Sequence, residues 1–221
     1  MSDDDDCRSF QEFIKSAEFP CVGAKSALAR DALTVFKAGM IDTPVKDVDI
    51  HQALRAFSES LDMDSPVVRS FVVIFGGPGD LDEEGFEKML WNRLQCLHNL
   101  DVVAGAAWSP DVDQDPASPH FSLSVGGEPF FVIGLHPNAS RPARRFSKPA
   151  LVFNSHAQFE KMREDGRFDK MKTIIRERDA ELAGAVNPML SDYGDASEAR
   201  QYSGRQVGND WKCPFEMKEF A

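Results

Sequence analysis

Apolar positions along the chain switch between two periods, and the switches outline the elements. From Cys21 onward, Leu28, Ala32, Val35 and Phe36 fall at helical spacing and Gly39 stands where a helix C-terminal glycine belongs, which predicts a first helix. Asp47 is placed to cap a second, whose stripe Ile50, Leu54, Phe57 and Leu61 repeats at i, i+4, i+7 and i+11 until Ser65-Pro66 ends it. VVRSFVVIFGG, rich in β-branched and aromatic residues, predicts a buried strand closed by Gly76, Gly77, Pro78 and Gly79. Asp80, with Glu83 three residues on, predicts the cap of a helix that buries Phe86, Met89, Leu90, Leu94 and Leu97. Residues 101–119 have no period, carry Pro and Asp, and have the length of an Ω-type loop that makes a lid candidate. HFSLSV and EPFFVIGLH around Gly126-Gly127 predict a hairpin, and PALVFN a further strand before a helix opening near Ser155. RFDKMKTIIRERDAELAG then places Phe168, Met171, Ile175 and Leu182 on one helical face. About four strands with helices and no strict βαβ alternation predict an α+β fold, a mainly antiparallel sheet flanked by helices.

Composition narrows the class. With 42% apolar residues and 17 Phe in 221 residues, the chain can bury a core as one domain, here residues 19–221. Residues 1–18 form an acidic N-terminal segment in which Phe10, Phe13 and Ile14 can dock on the body. A net charge of −11 opposes nucleic-acid binding. The opening MSDDDDC has neither a basic nor an apolar signal region, and no apolar run approaches the ~20 residues of a membrane helix, so a cytoplasmic protein without membrane partners is expected. Cys7, Cys21, Cys96 and Cys213 form no CxxC pair, which suits reduced thiols better than disulfides or a zinc cage. GGPGDLDEEG puts carboxylates where a phosphate loop needs lysine and hydroxyl, and no GxGxxG opens a helix after a strand, so neither a phosphate loop nor a flavin or NAD fingerprint is present.

The candidate chemistry is held by single residues. Cys21 follows Pro20 at a helix start, where free amides and the positive helix end favour a thiolate; the alternative is a small Cys packed under the first turn. His136 ends the hairpin strand beside Asn138, Ser140 and the cations Arg141, Arg144 and Arg145, as a metal ligand or as a strand-end histidine satisfied by its neighbours. Cys213 is a third candidate, with only Lys212 beside it. FNSHAQFEKMR offers Asn154, His156 and Glu160, the last two on one helical face, although Asn154 or Ser155 can simply cap that helix. In the tail, Asp192, Asp195, Glu198, Tyr202 and Arg205 supply carboxylates for a cation and an arginine for an anion, or a solvated surface.

Four blocks, FPCVGAKSALA, GLHPNASRPARRF, LVFNSHAQFEKMR and NPMLSDYGDASEARQYSGR with WKCPF, together resemble the YqcI/YcgG family, and with LWNRLQCLHNLD the likeness covers nearly the whole chain from Phe19. Several members of that family are heme enzymes that hydroxylate guanidine nitrogen in D-cycloserine and guanitoxin biosynthesis. The resemblance implies a heme b cofactor, O2 as co-substrate, an external electron donor such as a ferredoxin or reductase, and a small cationic, arginine-like guanidine or amine substrate. On that reading Cys21, or alternatively His136 or Cys213, ligates the iron, and Arg141, Arg144, Arg145, Lys25 and Arg205 are candidates to pair with heme propionates. Asn154, His156, Glu160, Asp192, Glu198 and Tyr202 are the candidates to meet the substrate. A heme carrier or heme-based sensor, and a cofactor-free interaction domain, are the competing expectations.

Overall fold

A computed structural model describes residues 3–218 of the chain. Its helices are α1 (Asp3–Lys15), α2 (Val22–Ala29), α3 (Asp47–Glu59), α4 (Glu83–Val103), α5 (His156–Glu164), α6 (Arg167–Ala183) and α7 (Ala199–Tyr202). Its strands are β1 (Leu33–Met40), β2 (Ser70–Gly77), β3 (Leu123–Val125), β4 (Glu128–Leu135) and β5 (Ala150–Ser155), in the order β1-β2-β5-β4-β3. β1 runs parallel to β2, and every other neighbouring pair is antiparallel. The fold is α+β, with a mixed five-stranded sheet.

The added strand is β1, and it corrects the expected first helix. α2 stops at Ala29, the chain turns through Asp31 at φ 54°, and the Ala32 amide closes the turn on the Ala27 carbonyl at 2.9 Å. Beyond the turn, the β-branched and aromatic run Thr34-Val35-Phe36 favours a pleated surface. Leu33 and Val35 face one side and Phe36 and Ala38 the other, the two-residue alternation of a strand. Gly39 therefore lies inside β1 instead of after a helix. Because β1 and β2 are parallel, a crossover must join them, and α3 supplies it. Two caps also differ by residue: Lys46 precedes α3, leaving Asp47 buried against Arg93, and Asp82 caps α4 by accepting the Gly85 amide at 2.7 Å.

The sheet separates two apolar layers. On one face, Phe71, Val73, Phe75, Phe130 and Phe153 pack against α3 and α4. Gly134 permits that approach, because a Cβ there would lie 2.7 Å from both Leu90 and Phe86. On the other face, Val72, Ile74 and Leu135 meet Phe10 and Ile14 of α1, with Leu28 of α2 against them. The acidic N-terminal segment is thus a helix that docks through the three residues expected to do so. This second face is looser than the first, and α5 and α6 leave a cavity over it.

Candidate functional site

The cavity is about 920 Å³, within the range of small-molecule and cofactor sites. Its floor is the sheet, through Val72, Ile133 and Val152, and α1 covers it with Phe10 and Phe13. α6 closes a side with Phe168, Met171 and Ile175, three of the residues expected on one helical face. Met171 comes so close to α2 that a Cβ at Gly23 would lie 2.9 Å from its sulfur. No residue of 101–119 lines this space, so the lid candidate does not cover it.

Cys21 lines the cavity from the start of α2. It is the helix N-cap, its Sγ accepting the Ala24 amide at 3.4 Å. The expected helix-start lowering of the thiol is outweighed: burial pushes Cys21 up, against the amides of Ala24 and Gly23 and the charge of Lys25. At neutral pH the group is a thiol.

The two rival ligands lie on the opposite face of the sheet. His136 is 1% exposed and stacks on Phe86 of α4 with ring centroids 4.3 Å apart. Cys213 packs against the α3–α4 core, where burial pushes its thiol up to about 12.

The expected cations divide in the same way. Arg141 and Arg144 line the cavity, while Lys25, Arg145 and Arg205 do not. Lys25 reaches the Ala17 carbonyl, Arg145 holds the carbonyls of Ala139 and Ser140, and Arg205 forks onto Glu87 and Glu84 of α4. Arg144 donates to three carbonyls, of Gly134, Gln201 and Tyr202, and so ties β4 to α7; burial pushes it down to about 10. Arg141 pairs with Asp179 and donates to the Ala185 carbonyl, but its Nε is buried without a partner. Sequence reasoning missed Arg163, Lys172 and Arg176, which also line the cavity. The available signal was the i,i+4 spacing of Lys172 and Arg176 beside the apolar stripe of α6.

Of the substrate-side residues, Asn154, His156, Asp192 and Glu198 line the cavity, whereas Glu160 and Tyr202 do not. Ser155 positions His156 by capping α5, its Oγ accepting the Gln158 amide at 3.2 Å as β5 passes directly into the helix. The imidazole packs on Tyr193 with centroids 4.3 Å apart, and its Nε2 is buried without a hydrogen bond. Burial, then the charge of Arg163, pushes His156 down to about 4, so the ring is neutral at pH 7. Glu160 is half-exposed and paired with Arg163. Asp192 is already matched by Lys172 at 3.0 Å and Arg176 at 2.6 Å, which hold its carboxyl below the usual range.

Glu198 is different. It is 5% exposed, and its Oε1 accepts the Ser122 hydroxyl at 2.7 Å and lies 2.5 Å from the Tyr202 hydroxyl. No described donor reaches its Oε2. Burial pushes the carboxyl up to about 8, although Tyr202, Ser122 and the charge of Arg163 all pull it down. Of the expected substrate-side carboxylates, it is the buried one with acceptor capacity left for a cation.

These features define an α+β protein whose mixed sheet floors a largely apolar cavity carrying a thiol, a neutral imidazole, arginines and a buried acid. The chain belongs to the YqcI/YcgG family, whose model matches residues 10–216. It is 28% identical over 211 residues to the uncharacterized protein YqcI of Bacillus subtilis strain 168, covering 91% of this chain and 82% of that one. To the uncharacterized protein YcgG of the same strain it is 28% identical over 212 residues, covering 89% and 80%. No solved structure matches the chain. Among the described residues, no helix is long and apolar enough to cross a membrane, and no three His, Cys, Asp or Glu side chains are grouped to hold a bare metal ion.

Proposed function

We propose that the chain is a heme-dependent monooxygenase that hydroxylates a nitrogen of a small, arginine-like guanidine or amine, with O2 as co-substrate and electrons from an external donor. The observation that carries this reading is the shared cavity of Cys21 and Glu198, a sulfur ligand and a buried acid facing one apolar space. The residues fit heme b. The cavity has the volume and apolar floor for a flat macrocycle, and it needs one protein ligand, not the cluster a bare metal requires. Cys21 would ligate the iron, and Arg141, through its unpartnered Nε, would meet a propionate. Heme held by a thiolate supplies dioxygen activation, the ligand pushing electron density toward O–O cleavage.

The chain's own residues do the rest. For Cys21 to ligate it must lose its proton, and the Ala24 amide and the positive end of α2 stabilise the resulting thiolate. Glu198 receives the cationic headgroup of the substrate, which a cavity with apolar walls would otherwise exclude because desolvating an unpaired guanidinium is costly. Asn154 is held by the Ser70 hydroxyl and is a fixed polar wall beside it. α1, through Phe10 and Phe13, keeps water from the apolar end.

A second reading, a heme carrier or sensor, is favoured by His156, whose Nε2 stands in the same cavity without a hydrogen bond, 3.7 Å from the Glu160 carboxylate, and would offer a further nitrogen ligand to the iron. Adding hemin to folded protein and following the Soret band tests both. A band that shifts with L-arginine or agmatine, followed by an N-hydroxylated product when reductant and oxygen are supplied, supports the monooxygenase. A six-coordinate spectrum that no guanidine or amine perturbs supports the carrier or sensor, and protein that stays colourless contradicts both.

A further inference from the structure

The hydroxyl of Tyr202 stands among three partners but carries one hydrogen. It accepts the Leu123 amide at 3.2 Å, and it lies 3.1 Å from the Phe130 carbonyl and 2.5 Å from Glu198 Oε1. That hydrogen can serve Phe130 or Glu198, not both. If Glu198 is protonated, its O–H donates to Tyr202, whose own hydrogen goes to Phe130, and each short contact has one proton. If Glu198 is ionised, the Tyr202 hydrogen turns to the carboxylate and Ser122 donates the second bond. The same heavy-atom positions thus accommodate both protonation states through one hydroxyl rotation.

The geometry points to Glu198 as a proton-for-cation exchange site: the guanidinium or ammonium head of a small organic cation enters the cavity, and the carboxyl proton leaves to solvent as it arrives. This rests on the reading of the cavity as the site of a cationic substrate and adds how that charge is admitted. The step balances: a neutral acid and a cation become an ion pair and one released proton. Glu198 is then never a naked buried carboxylate, and a neutral analogue of the same shape gains no ion pair. The charged and titratable groups around Glu198 are Tyr202 on α7, Arg163 and His156 on α5, and Tyr193 in the preceding loop. Arg163 favours the ionised form but is occupied by Glu160. His156 and Tyr193 are neutral at pH 7, because burial pushes the first down to about 4 and the second up to about 12.

The test is calorimetric titration of agmatine into the full chain, before and after hemin loading, in buffers of different ionisation enthalpy between pH 6 and 9. Close to one proton should be released per agmatine at pH 7, with affinity rising roughly tenfold per pH unit and levelling above about 8. Glu198→Gln should release none and flatten the profile. Ser122→Ala removes a hydroxyl that stabilises the carboxylate, and should move the plateau to higher pH without abolishing it. Agmatine binding with no proton release and no pH slope overturns the exchange while leaving the cation site standing. Failure of agmatine, L-arginine and simple amines to bind overturns both. Because protein without hemin is titrated too, failure to load heme does not obscure either result.

Discussion

Cys21 and His136 face away from each other across the central sheet. The sulfur lines the cavity covered by α1, while the imidazole stacks on Phe86 in the layer formed by α3 and α4. The proposed heme, placed in that cavity, would take Cys21, and His136 contributes packing instead.

It follows that His136→Ala should leave the heme spectrum unchanged and lower stability by roughly 1–3 kcal/mol, the usual cost of removing a buried stacked ring. Urea unfolding and the Soret spectrum of the same preparation separate the two effects. A spectral change without loss of stability would contradict the placement of His136.

Arg141 and Arg145 are close in sequence and differ in surroundings. Arg141 lines the cavity with a free Nε, whereas Arg145 is spent on the carbonyls of Ala139 and Ser140 outside it. Arg141→Ala should speed transfer of heme to apomyoglobin several-fold more than Arg145→Ala. Equal rates for the two variants would remove Arg141 from the proposed heme site.

The pH dependence of stability has a definite sign. Between about 4.5 and 8 the native protein keeps a proton on Glu198 that the unfolded chain has lost, so this group's contribution to stability falls as pH rises through that window. His156 acts in the opposite sense between about 6.5 and 4, where the unfolded chain takes up a proton that the buried ring refuses. Above pH 6.5 the Glu198 effect is left unopposed by His156. Unfolding free energy should drop from pH 6.5 to 8, by up to ~1.4 kcal/mol per pH unit, and Glu198→Gln should flatten that drop. The same slope in wild type and variant would contradict it.

Gly134 gives a structural control on the face away from the cavity. Gly134→Ala places a Cβ 2.7 Å from Leu90 and Phe86, and should cost roughly 1–3 kcal/mol by overpacking. Heme loading of the folded fraction should be unchanged.

The parts of this arrangement with local causes were legible in the sequence. Ser155 caps α5, the Gly126-Gly127 turn joins β3 to β4, and Phe10 and Ile14 dock α1, each as its pattern predicts. β1 was missed because Leu28, Ala32, Val35 and Phe36 satisfy a helical period while the segment turns at Asp31 into alternation. The cavity was hidden for a similar reason. Phe168, Met171 and Ile175 have the same spacing whether they face a packed core or an open space, and only the separation of α6 from the sheet distinguishes the two. Glu198 was one of several tail carboxylates until Ser122, distant in the chain, and Tyr202 closed around it; only its i,i+4 relation to Tyr202 was local. Asp192, another carboxylate of the tail, is matched by two cations, a pairing that depends on how the tail crosses α6.

The most direct test of a heme held by Cys21 is the absorption spectrum of the hemin-loaded, reduced protein under carbon monoxide, compared with that of Cys21→Ser. A thiolate-type, long-wavelength Soret band in the wild type that the substitution abolishes is the predicted result. A histidine-type band that Cys21→Ser leaves unchanged, or a protein that never takes up hemin, would contradict it.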